Sequence, residues 1–225
     1  RSMLNPVSLY ARSKIASERV LQKMADDRFS PVILRFGTIY GLSGRTRFDL
    51  VINLLTAKAV IEKEMTIFGG DQWRPFLHVS DAAESIVRIL ETPLETVRNQ
   101  IFNVGSNQQN YTIQQIGEII QKFVPDAKIV YQNENLDPRN YWVNFNKLHR
   151  TLQFEPKWTV EQGVEQVIRA IRSGKITDYR HSKYSNVKFL TEEGIYRLSK
   201  YENGWAYDLM EGSASGTLQM GEMDN

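Results

Sequence analysis

Asn5-Pro6-Val7-Ser8-Leu9-Tyr10-Ala11-Arg12-Ser13-Lys14 runs into Ile15-Ala16-Ser17-Glu18-Arg19-Val20-Leu21-Gln22-Lys23-Met24, and Pro31-Val32-Ile33-Leu34-Arg35-Phe36-Gly37 follows shortly after. In the first two stretches Ile15, Val20, Leu21 and Met24 recur with helical period, so this segment predicts an amphipathic helix. The third is an apolar run closed by an Arg and a Gly, the pattern of a strand buried on both faces of a parallel sheet. A helix leading directly into such a strand points to an α/β fold. Tyr10 and Lys14 share one helical face, where an ammonium can stabilise a phenolate. A free Tyr titrates near pH ~10, so a Tyr that moves protons at neutral pH needs a neighbouring positive charge. The same spacing is common on solvated helices, and the pair acquires meaning only with support from the rest of the chain.

The alternation continues. Thr38-Ile39-Tyr40-Gly41 reads as a Gly-bounded loop, and Phe48 to Val60 carries apolar residues at helical spacing. Met65 to Phe68 and Pro75 to Val79 read as short strands, and Ser80 or Asp81 as the cap of a helix reaching about Leu90. Ile101 to Gly105 is a further strand. Thr112 starts a helix that turns Ile113, Ile116, Ile119 and Ile120 inward, Lys128 to Tyr131 is a strand, and Thr159 to Ile171 is an amphipathic helix. No internal repeat or low-complexity tract is present. From about Gly174 the pattern weakens, and Gly212-Ser213-Ala214-Ser215-Gly216 reads as a flexible terminal segment.

Composition excludes several function classes. Lys plus Arg is 28 against 26 for Asp plus Glu, a near balance without a basic block, which argues against nucleic acid as a partner. The chain has no Cys, so disulfides, thiolate metal sites and a Cys nucleophile are ruled out, in keeping with a reducing cytoplasm. No apolar run reaches the ~18 residues of a membrane span, and the expectation is a cytoplasmic protein with no membrane partner. His78, His149 and His181 lack metal-ligand spacing, so no metal is expected. His78, within an apolar strand, reads as a buried, satisfied histidine. Trp73 and Tyr141 are candidate pocket aromatics, Trp142 and Trp158 candidate core; Glu18 reads as a helix-face charge.

With these residues in place, the sequence resembles the extended short-chain dehydrogenase/reductase family, specifically its nucleotide-sugar epimerases and dehydratases. The family's Y-x-x-x-K stands as Tyr10 to Lys14. Ile67 to Ala83, containing Gly69-Gly70-Asp71-Gln72-Trp73-Arg74-Pro75-Phe76-Leu77-His78-Val79-Ser80-Asp81, is similar to the family's strand, Gly turn, Arg-bearing strand and helix. Asp137-Pro138-Arg139-Asn140-Tyr141-Trp142-Val143-Asn144, with Lys147-Leu148 and Leu152 to Pro156 after it, is similar to its C-terminal Arg segment and short helix. The resemblance runs from Asn5 to about Ile171. It implies the C-terminal part of a Rossmann-like doubly wound parallel sheet plus a smaller mixed α/β substrate-binding domain. Residues 1–45 and about 75–105 would hold the remaining Rossmann-like elements, about 46–74 and 106–173 the substrate-binding region, and 174–225 a C-terminal extension.

The same resemblance implies the chemistry. Tyr10 would be the catalytic base and Lys14 its activator, both touching NAD, with NADP as the alternative cofactor. Phe36 and Gly37 would line the nicotinamide, and Thr38, Asp49, Arg74 and Arg139 the substrate, a nucleotide-diphosphate sugar whose phosphates call for Arg forks. A sugar hydroxyl would be oxidised transiently to a ketone before epimerisation or dehydration. Thr38 stands where relatives often carry Asn, and Asp49 where many have Asn or Glu; as sequence, Asp49 reads equally well as a helix cap. No G-x-x-G-x-x-G or G-x-G-x-x-G occurs in the chain, so the dinucleotide-binding half of the family is expected to be a separate, N-terminal part. Relatives pair through neighbouring helices, which implies a homodimer. Two alternatives remain at this stage: a non-catalytic nucleotide-sugar-binding or assembly fragment, and a reductase of the same superfamily.

Overall fold

A computed structural model describes residues 4–132 and 139–194. Arg1–Tyr179 belongs to one compact unit and Arg180–Asn225 to a second. The Gly212–Gly216 segment lies outside the described residues.

The first helix, α1 (Leu9–Lys23), starts where the Ser8 hydroxyl accepts from the Ala11 N–H, satisfying one of the free donors of the first turn. Its apolar stripe buries nothing among the described residues; Val20 and Met24 are exposed. What ties it down is Glu18, whose carboxylate accepts from both Nε and a terminal nitrogen of Arg35, so this carboxylate is a two-pronged anchor and more than a helix-face charge.

Arg35 lies on β1 (Ile33–Phe36), and after it the chain passes through Gly37 into β2 (Thr38–Tyr40). A strand replaces the loop expected at Thr38 to Gly41, and Gly37 is the physical reason. Its N–H donates to the Val104 carbonyl, while a Cβ there would stand 3.2 Å from the Pro75 oxygen. The chain thus changes partner strands in one residue, at a close approach only glycine fits comfortably.

Then come α2 (Val51–Glu62), β3 (Glu64–Phe68), β4 (Trp73–His78), α3 (Val79–Glu91), α4 (Leu94–Val97) and β5 (Ile101–Val104). These are followed by β6 (Asn110–Thr112), α5 (Ile113–Phe123), β7 (Lys128–Gln132), α6 (Asn146–Leu152), α7 (Val160–Arg172) and, in the second unit, α8 (Asn186–Phe189). Thr112 with Gln115 and Thr159 with Gln162 form reciprocal capping boxes, which is why α5 and α7 start where the sequence predicts. Ile113, Ile116, Ile119 and Ile120 all point inward.

Strand β1 runs parallel to β5 with Ile33 opposite Ile101, and β3 parallel to β7. Strand β4 sits between β2, parallel, and β6, antiparallel. The strand buried on both faces is therefore β4, not β1 as the sequence suggested: Phe36 at the end of β1 is 38% exposed, since that sheet has two strands. In β4, Phe76 joins a core with Tyr40, Ile52, Met65, Ile116 and Val164, and the next residue, Leu77, joins a second core with Ile89, Phe102, Val104 and Leu148. Alternate side chains of one strand thus hold two cores, each contributing roughly 1.5–3 kcal/mol by burial.

Candidate active site

Tyr10 and Lys14 lie one turn apart on α1, with Lys14 Nζ 5.4 Å from the Tyr10 ring centroid. The Ser13 hydroxyl donates to the Tyr10 carbonyl, and the Tyr10 side chain is 71% exposed. A phenol and an ammonium thus stand together on an open helical face. Phe36 and Gly37 follow at the C-terminal end of β1. Thr38, opposite Phe76, places the predicted substrate contact two positions along from Arg74 on the neighbouring strand.

Arg74 is deeply buried at 6% exposure, and its terminal nitrogens donate to the Trp73 carbonyl and Gln72 Oε1. Its guanidinium lies 5.3 Å from the centre of the Tyr141 ring. The backbone completes this junction: the Trp73 N–H donates to Asn140 Oδ1 and the Tyr141 N–H to the Trp73 carbonyl. Two segments far apart in sequence, one carrying Arg74 and the other Arg139, are thereby brought side by side. Asp49 accepts two hydrogen bonds from Arg47 and does not cap α2, whose N-terminus has no side-chain cap. Tyr10 and Lys14 share no hydrogen bond, ion pair or ring contact with Arg74 or Arg139 among the described residues.

Sequence reasoning passed over a row of asparagines beside this junction. The Asn110 amide donates to the Val143 carbonyl and accepts from the Val143 N–H, a two-way bond such as one strand makes with the next. Asn107 accepts from the Phe145 N–H, and Asn103 donates to the Asn144 carbonyl. The repeated Asn at 103, 107 and 110, with Asn144 and Asn146 facing Asn103 and Asn107, was the available signal, but amides pair in no sequence period.

His78 is the expected satisfied histidine, and it also takes over the capping role the sequence gave to Ser80 or Asp81. Its Nδ1 accepts from the Ser80 N–H at the start of α3. Gln166 Oε1 already accepts from the Leu42 N–H, so the contact at 3.1 Å is His78 Nε2–H donating to it. Trp158 stacks on the ring at 3.9 Å, and Asp81 accepts from the backbone of Lys157 and Trp158. Burial holds the His78 pKa below its usual value, against smaller upward effects of Gln166 and Asp81. The neutral imidazole is the folded form, so the stability it contributes is complete above the unfolded-chain value of about 6.5 and is lost as pH falls below it. Thermal melts should show a falling Tm between about pH 7 and 5.5, and His78→Gln should flatten that slope; an unchanged slope in the variant would assign it to another group.

Residues 1–105 match the NAD dependent epimerase/dehydratase family. Over that stretch, a little under half of its length, the chain is similar to that family. It is 29% identical over 139 residues to a UDP-glucuronate 4-epimerase of Thermodesulfobacterium geofontis, covering 60% of this chain and 41% of the relative. It is 26% identical over 174 residues to an uncharacterized UDP-glucose epimerase of Bacillus subtilis, covering 76% of this chain and 54% of the relative. Among solved structures, the Bacillus cereus UDP-glucuronic acid 4-epimerase in complex with UDP-glucuronic acid and NAD superposes with a TM-score of 0.67 at 26% identity, over 76% of this chain and 55% of that one. An NAD-dependent NDP-hexosamine 5,6-dehydratase shares the fold at TM-score 0.67. The chain thus spans about half the length of the relatives it matches. No described helix is long and apolar enough to cross a membrane.

Proposed function

We propose that this chain carries the proton-transfer helix and the sugar-nucleotide half of an NAD-dependent nucleotide-sugar epimerase or dehydratase. The observation that carries the reading is the exposed Tyr10–Lys14 pair on α1, inside the residues that match the family. Tyr10 Oη, as phenolate, accepts the proton of a sugar hydroxyl; Lys14 Nζ stabilises that phenolate and binds the cofactor ribose. NAD, when bound, supplies the hydride acceptor that makes the ketone accessible. This chain fits only the nicotinamide-ribose end of the cofactor, through Tyr10, Lys14, Phe36 and Gly37, and further polypeptide with a Gly-rich turn would hold the pyrophosphate. Homodimerisation through α1 is part of the same proposal, supported by its unburied apolar stripe.

The two apolar cores follow the division of labour proposed from the sequence only in part. Leu77, Ala82, Ile89, Phe102 and Val104 of about 75–105 share their core with Leu148, Leu152 and Phe154, while Ile52, Leu55, Ile116, Val160 and Ile168 of 46–74 and 106–173 share theirs with Tyr40 and Phe76. Substrate phosphates would meet Arg74 and Arg139 where the two segments join, with Thr38 and Asp49 at the margin. Arg139→Ala is the cleaner test, since Arg74 also holds the Trp73 carbonyl. Calorimetry of the whole enzyme with UDP should show affinity weakened by roughly 1.5–3 kcal/mol and NAD affinity almost unchanged. Equal losses for both ligands would place Arg139 in the wrong pocket.

A further inference from the structure

We propose that Asn110, seconded by Asn107, is a positioning residue that sets the Arg139–Tyr141 segment against Arg74, and so determines nucleoside-diphosphate affinity without touching the ligand. The inference rests on the diphosphate role given above to the two arginines.

The segment 140–145 has no regular structure before α6, yet it is held at successive points. At one end the backbone of Trp73, immediately before Arg74, takes the Asn140 side chain and the Tyr141 N–H. At the other, Asn110 takes both backbone groups of Val143 at 3.0 and 3.1 Å, and Asn107 takes the Phe145 N–H at 3.0 Å. Asn110 is 7% exposed and lies in β6, opposite Pro75 and next to Tyr111, the register partner of Arg74. Its backbone thus belongs to the strand pair carrying Arg74, while its side chain reaches out to the segment carrying Arg139. One residue couples the two arginine-bearing elements.

The chemistry requires an amide at Asn110. Val143 presents a donor and an acceptor together, and only a group with both can answer them; a carboxylate would keep the N–H contact and set oxygen against the Val143 carbonyl. Two charged forks converging on one diphosphate need a fixed separation, since bidentate recognition fails when either is displaced. Loosening residue 143 frees the stretch from Asn140 to Val143, which carries the Tyr141 ring beside Arg74.

The test compares wild type, Asn110→Ala, Asn110→Asp and the milder Asn107→Ala in the full chain. UDP affinity is read by calorimetry, amide hydrogen exchange at residues 141–145 reports the clamp, and Tm reports the fold. The expected result is UDP affinity lowered about tenfold or more in both Asn110 variants and about threefold in Asn107→Ala, with faster exchange at Val143 and Phe145. Should both Asn110 variants fail to fold, Asn107, which is exposed, still reports: unchanged affinity there would overturn the proposal. Wild type that binds UDP beside folded Asn110 variants that bind equally well would overturn it alone. Wild type that fails to bind UDP would overturn the diphosphate reading itself, and this assignment with it.

Discussion

Tyr10→Phe in the whole enzyme should lower turnover by at least ~100-fold while nucleotide-sugar affinity stays within a few-fold, because a proton acceptor acts mainly on the transition state. The substitution removes one oxygen from a side chain that is 71% exposed and makes no core contact, so stability should hardly change. A large loss of kcat at constant Tm then isolates the chemistry. Lys14→Met should affect rate and cofactor binding together, since the ammonium is proposed both to stabilise the phenolate and to hold the ribose. A Phe variant with near-normal turnover would remove Tyr10 from the mechanism, and with it the main support for the enzymatic reading.

How much of this was legible in the sequence depended on how local each feature is. The capping boxes at Thr112 and Thr159 and the inward isoleucines of α5 are written within a single helical turn or two, and the sequence read them correctly. The cap of α3 was misassigned because a histidine is an uncommon cap, and only the tertiary contact with Gln166 fixes the tautomer that lets His78 accept. Burial was the least legible property. The apolar run of β1 and the stripe of α1 suggest complete burial, yet among the described residues both stay partly or wholly exposed, while β4 with its Arg, Pro and His is buried on both sides. Burial is decided by what lies on either side of a strand, and no period within the strand reports that. The same limit hid the Asn110–Val143 clamp, which pairs a side chain with backbone 33 residues away. For the site, residue types and motif order named Tyr10, Lys14, Arg74 and Arg139; the junction that brings Arg74 beside the Asn140–Tyr141 backbone became visible only in three dimensions.

Titrated with NAD, these 225 residues should bind negligibly. A dinucleotide pyrophosphate is held by free backbone N–H groups at a helix N-terminus approached through glycines. Here the first turns of these described helices already carry side-chain caps: Ser8 at α1, His78 at α3, Thr112 at α5 and Thr159 at α7. The first turn of α2 has no side-chain cap, but its approach, Arg45-Thr46-Arg47-Phe48-Asp49-Leu50, contains no glycine and sets the Asp49 carboxylate just ahead of the helix. A pyrophosphate would meet side-chain bulk there, and a carboxylate already paired with Arg47. Joining a polypeptide that carries a Gly-rich strand-turn-helix, in cis or as a separate chain, should confer NAD binding and nucleotide-sugar turnover together, because the proposed ribose contacts of Lys14 and the pyrophosphate contacts of the added turn would act on one ligand. The UDP binding proposed for Arg74 and Arg139 should not depend on that addition to the same degree. Calorimetry with NAD and with UDP, before and after the addition, distinguishes the outcomes: tight NAD binding by these residues alone would mean that a dinucleotide site exists in the chain without the glycine turn, and the division of labour proposed between its parts would be wrong.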